Sequence, residues 1–170
     1  MACAAIVRKT KGTKINIIAI DPGANGGIAR LRNGEFKLWP MPSTELDLVE
    51  LLGSLIGNVT EEPCIVYLEQ VGGFTGGPSP GSAMFKFGWW ASGPAWIALC
   101  YQARLVMITP QKWQKEMGCG TRETKGSAGT TKWKNKLKAM AQRLHPELGI
   151  TLKTADALLI LEAALKLEKI

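Results

Sequence analysis

One stretch constrains the fold more than any other: KINIIAIDPGANGGIAR, from Lys14 to Arg30. Ile15, Ile17, Ile18, Ala19 and Ile20 form a near-continuous apolar run rich in β-branched side chains. That is the pattern of a strand buried on both faces, which an α/β domain covers with helices on each side. The run stops at Asp21, and Pro22-Gly23 and Asn25-Gly26-Gly27 follow as turn signals. Taken alone, Asp21 reads as the opening residue of a turn. At the end of a buried strand it is also a carboxylate held rigidly where core meets solvent.

The next elements follow from local signals. Ile28 to Leu31 reads as the second strand of a hairpin, and Asn33-Gly34 is a two-residue turn into a third strand, Glu35 to Trp39. Pro40 and Pro42 end it. Ser43 or Thr44 caps a helix whose Leu48, Leu51, Leu52, Leu55 and Ile56 fall at helical spacing, and Gly57-Asn58 stops it. Cys64 to Leu68 is a second buried strand, and it closes on Glu69. If the two buried strands lie side by side and parallel, Asp21 and Glu69 become neighbours. Open α/β sheets place their ligands at that edge.

The segment from Gly72 to Gly81 is too rich in Gly and Pro for regular structure. Phe74 near its tip either wedges between nucleic-acid bases or folds back on the core. Ser82 to Gln102 predicts a long helix with a bend or break near Gly93-Pro94. It is apolar nearly all round, through Phe85, Phe87, Trp89, Trp90, Trp96, Ile97 and Leu99. Such a helix is fully buried, or buried partly by a second subunit. Leu105 to Ile108 is a fifth strand, and Thr109 caps a short helix with Pro110 in its first position. That helix carries Lys112, Trp113 and Lys115.

A Gly/Ser/Thr/Lys-rich loop, Gly118 to Gly129, then leads to a basic amphipathic helix from Thr130. Trp133, Leu137, Met140, Ala141 and Leu144 make its inner face, while Lys132, Lys134, Lys136, Lys138 and Arg143 take other faces. The last helix starts at Thr151 or Thr154 and is largely buried, with Asp156 in its first turn. An acid there suits the helix dipole by itself.

Charge is unevenly spread. The net charge is +7 over 170 residues. Arg104 to Arg143 alone holds ten Lys or Arg against Glu116 and Glu123, and Arg8, Lys9, Lys11 and Lys14 sit near the start without an acid. Clustering of this kind suits a polyanion, most commonly nucleic acid. Lys112, Lys115, Arg122, Lys125, Lys132, Lys134 and Lys136 are the candidate phosphate contacts, with Phe74 as the candidate base contact. We divide the chain into a basic arm, residues 1–13, and a single domain, residues 14–170. Four scattered cysteines and a single histidine, His145, argue against structural zinc and for a reducing compartment. Cys64 and Cys100 lie in apolar runs and read as buried. No signal peptide is visible, and the most apolar segment, Trp89 to Tyr101, is too short to span a bilayer. The expected setting is a bacterial or phage-infected cytoplasm or an organellar matrix, with no membrane partner.

Asp21, Glu69 and Asp156 each stand at the end of a buried element. If they converge, they repel one another unless a cation joins them, and Mg²⁺ takes such oxygen ligands. Carboxylates beside a basic surface suit phosphodiester hydrolysis.

The ordered set of strand-Asp21-Pro-Gly, Tyr67-Leu68-Glu69-Gln70 and Thr154-Ala155-Asp156-Ala157-Leu158-Leu159-Ile160 resembles the RuvC-type Holliday junction resolvases, of the RNase H-like superfamily. It is most similar to the phage and chloroplast varieties. The resemblance implies an α/β RNase H-like fold with a five-stranded mixed sheet flanked by helices. It implies a homodimer that nicks four-way DNA junctions symmetrically with Mg²⁺, for which Mn²⁺ substitutes. It implies that Asp21, Glu69 and Asp156 are the metal ligands. It also sets Phe74 where relatives carry an aromatic near the junction centre. One position departs: many members have Asp or His three residues before the last acid, where this chain has Lys153. Lys153 cannot bind Mg²⁺, so its expected role is to contact the scissile phosphate or stabilise developing charge. Two other readings use the same residues. One is a junction- or duplex-binding module that does not cleave. The other is half of an actin-like ATPase or sugar kinase, which requires a longer, two-domain chain.

Overall fold

The structure, a computed structural model, describes residues 16–72, 81–122 and 126–170. The basic arm, Phe74 and Lys125 therefore lie outside the described residues. Five strands form one sheet: β1 (Asn16–Asp21), β2 (Gly27–Arg32), β3 (Glu35–Pro40), β4 (Cys64–Glu69) and β5 (Arg104–Ile108), in the order β3-β2-β1-β4-β5. The first three run antiparallel, while β4 pairs parallel with β1 and β5 parallel with β4. The expected five-stranded mixed α/β sheet is thus observed.

The local signals act as read. Asn33 and Gly34 both take positive φ, 52° and 80°, as a tight hairpin between twisted strands requires. Thr44 caps α1 (Glu45–Ile56) by accepting from the Asp47 amide at 3.1 Å, and Asn16 on β1 donates to the carbonyls of Leu55 and Ile56 at its other end.

Strand parity sorts the core. Ile18, Ile20, Ile28, Val66 and Leu68 face α1 and α2 (Gly81–Cys100). Ile17, Ala19, Ala29, Leu31 and Tyr67 face the other layer, made by α3 (Pro110–Met117), α4 (Gly126–Leu144) and α5 (Ala155–Leu167). Every residue of α5 from Ala155 to Leu165 is buried. Each large aliphatic side chain there stabilises the fold by about 1.5–3 kcal/mol. Its buried Glu162 is answered by His145 Nε2 at 2.7 Å.

Five expectations are corrected. The α2 helix runs through Pro94 without a break, and of the two expected forms of cover, full burial within one chain is not met. Phe85, Trp89 and Trp96 are more than half exposed, because among the described residues this helix packs chiefly against α1 and the sheet edge. Cys100, at its end, is exposed rather than buried. The α4 helix begins at Gly126, one turn before Thr130, and Leu144 on its expected inner face is exposed. No helix among the described residues is long and apolar enough to cross a membrane.

Candidate active site

Strand parity also positions the acids. Residues 17, 19 and 21 of β1 and residues 65, 67 and 69 of β4 share one face, because side chains alternate along a strand. The parallel register pairs Ile20 with Leu68, so the next residues, Asp21 and Glu69, emerge together at the C-terminal edge on the α5 side. There α5 begins, and Asp156 in its first turn faces them.

Glu69 is anchored from the neighbouring strand. Thr109 and Pro110 start α3 immediately after β5, and one turn later Trp113 Nε1 donates to Glu69 Oε1 at 2.7 Å. Trp113 is fully buried, so this bond fixes the carboxylate's orientation. The residue types announce no such role for Trp113. The capped start of α3 at the end of β5 was the available signal.

Lys134 completes the group and departs most from expectation. Its side chain is part-exposed, and its ammonium is turned onto the acids. Its Nζ contacts Asp156 Oδ2 and lies 3.9 Å from Asp21 Oδ2. Burial alone would lower the Lys134 ammonium, but Asp156, Asp21 and Glu69 outweigh it and hold the ammonium above its usual range. Asp21 is pushed up to about 8, chiefly by burial and then by the Glu69 charge, against the pull of Lys134. Burial likewise raises Glu69, opposed by the Trp113 hydrogen bond. A hydrogen bond between the Asp21 and Glu69 carboxyls adds to the rise of Asp21 and opposes that of Glu69.

The remaining candidates divide. Lys153 is exposed just ahead of α5, on a cleft that it shares with Lys134. The cation that bears most on Asp21 and Glu69 is Lys134 rather than Lys153. Lys112 and Lys115 are exposed on α3, and Lys132 and Lys136 on α4. Lys136 also lies 5.2 Å from the Trp133 ring centre. Arg122 bonds the Gly126 carbonyl and Thr130 Oγ1, bracing the start of α4.

Whether a metal fits turns on two observations. Three hard carboxylate donors share the pocket, and Asp156 Oδ1 is buried without a hydrogen-bond partner. Yet no three acidic, histidine or cysteine side chains among the described residues stand ready to ligate one ion. The Lys134 ammonium stands among the acids instead. The donor types are those a divalent cation takes; Asp21, Glu69 and Asp156 would hold it, in the place the Lys134 ammonium now takes beside Asp21 and Asp156.

This arrangement of sheet, helices and edge pocket defines the class to which the fold belongs: the RuvC type of the RNase H-like α/β folds. Two solved structures are similar to it. One is Thermus thermophilus RuvC in complex with a Holliday junction substrate, with a TM-score of 0.55 and 12% identity over 91% of this chain and 96% of that one. The other, also Thermus thermophilus RuvC, has a TM-score of 0.55 and 14% identity over the same shares. No protein-family model and no curated protein matches the sequence.

Proposed function

We propose that this chain is a metal-dependent endodeoxyribonuclease that resolves four-way DNA junctions by paired phosphodiester hydrolysis. The observation that carries it is the meeting of Asp21, Glu69 and Asp156 at the C-terminal edge of β1 and β4, beside the lysines of α3 and α4. A pocket of three carboxylates costs stability, and a structural role gives no reason for it. The likeness to a RuvC bound to a Holliday junction supports the same reading of the substrate.

Asp21, Glu69 and Asp156 would hold Mg²⁺, or Mn²⁺ in its place. When bound there, the ion would supply Lewis-acid polarisation of the scissile phosphate and a more acidic attacking water. Trp113 holds Glu69 in one orientation. Lys134, once released from Asp156, is the ammonium placed to meet charge that develops on the phosphate. Lys112, Lys115, Lys132 and Lys136 hold the DNA backbone away from the cut.

The proposed active form is a homodimer, since two nicks need two sites. Its support is the uncovered apolar surface of α2. Phe85 and Trp89 stack at 6.3 Å, and Trp89 and Trp96 line a cavity of about 380 Å³ against Leu48 and Val49 of α1.

A second reading, a junction binder that does not cut, is favoured by the Lys134 ammonium among the acids. Incubation of a four-way junction with Mg²⁺ separates them. Symmetrical nicks that vanish in Asp21→Asn, with binding intact, support the nuclease. A gel shift without products supports the binder.

A further inference from the structure

Beside the acid pocket lies a cleft of about 410 Å³, of whose lining the chemistry above uses Lys134 alone. It is lined by Asn25 from the β1–β2 turn, by Thr130, Thr131 and Lys134 of α4, and by Leu152 and Lys153 ahead of α5. Lys134 belongs to both spaces, since its ammonium touches Asp156. The cleft and the acid pocket therefore adjoin at Lys134.

Lys153 is held at the rim by backbone packing. A Cβ on Gly27 would stand 2.5 Å from the Lys153 carbonyl oxygen, and Gly27 is the register partner of Asp21. Only glycine at 27 lets the 153 segment lie so close to the strand end that carries the first acid. The Lys153 side chain is exposed, and among the described residues its ammonium has no carboxylate partner. An unpaired ammonium beside a polyanion-binding site binds phosphate as a point charge. Leu152 adds an apolar wall. The Thr131 hydroxyl donates to the Ser127 carbonyl, which leaves its lone pairs to accept from a ligand. The Asn25 amide offers both a donor and an acceptor. The volume falls in the range of roughly 300–1,000 Å³ that small-ligand sites occupy.

We propose that this cleft seats the single nucleotide adjoining the cut phosphodiester, with Lys153 on that nucleotide's phosphate and Asn25 and Thr131 on its base edge. The inference rests on the nuclease reading above and adds to it a specificity pocket. Lys153 is then a positioning residue one phosphate away from the reaction.

Two readouts test it. On a native junction, Lys153→Ala should slow single-turnover cleavage about tenfold or more, the loss of one charge-assisted contact. On a junction with a neutral methylphosphonate at the adjoining phosphate, the same substitution should cost almost nothing further. Separately, 2-aminopurine at that nucleotide should brighten when Asp21→Asn protein binds, as the base leaves its stack. Adding Thr131→Trp, which plugs the cleft from an exposed helix position, should abolish the brightening. Equal losses on both junctions, or brightening unmoved by Thr131→Trp, overturn the inference. If the wild-type protein cuts neither junction, the nuclease reading fails, and the fluorescence alone then decides whether the cleft seats a nucleotide.

Discussion

Replacing the first acid of the pocket with a residue that never ionises should make the metal-free protein more stable at neutral pH. Asp21 is the group to change, because burial and the Glu69 charge carry its carboxyl from 3.8 to about 8. The sign follows from proton linkage. Between those two values the folded protein holds a proton that the unfolded chain has released. Stability therefore falls as pH rises through that window. From 3.8 to pH 7 is about 3 units, each worth about 1.4 kcal/mol, so the cost at neutrality is about 4 kcal/mol. Asn is isosteric and does not titrate, and its amide can donate to Glu69. Asp21→Asn should thus exceed wild type by about 4 kcal/mol at pH 7 and match it near about pH 4. Urea denaturation in EDTA across this range measures the difference, and contributions common to both proteins cancel. Mg²⁺ should then stabilise wild type and leave the variant nearly unmoved. A variant no more stable than wild type at neutral pH, or a gap that does not widen with pH, refutes the reasoning.

Other outcomes follow from the same structure. Trp113→Phe keeps a ring but removes the 2.7 Å donor to Glu69. Junction cleavage should fall roughly 10- to 100-fold, the value of a charge-assisted bond, with gel-shift affinity unchanged. Junction affinity should decline steeply with salt, and Lys136→Ala should reduce the slope of log K against log salt by about 1. His145 is subject to burial, which lowers its pKa, but its bonds to Glu162 and Glu147 prevail and raise it. Its pairing therefore contributes fully below the ordinary histidine value and is lost as pH rises through the folded one. Glu162→Gln should flatten that part of the denaturation profile. Trp96→Asp, on the exposed face of α2, should shift sedimentation from dimer to monomer if α2 is the dimer contact.

Much of this architecture was legible because it depends on short-range chemistry. The β1 run, the Asn33-Gly34 turn and the Thr44 and Thr109-Pro110 starts each act over a few residues. Alternation along β1 and β4 then aligns Asp21 with Glu69 once the strands are known to be parallel. What could not be read are contacts between surfaces distant in sequence. Lys134 looks like any lysine on a basic helix. Only the seating of α4 against α5 turns it towards Asp156. Trp113 gains its role because β5 lies beside β4. The α2 helix looked buried because apolar composition names a face that seeks cover without naming what covers it. Here α1 packs along the helix without covering it, and Trp89 and Trp96 beside α1 remain exposed. Periodicity establishes which residues share a face; the packing of whole elements decides what that face meets.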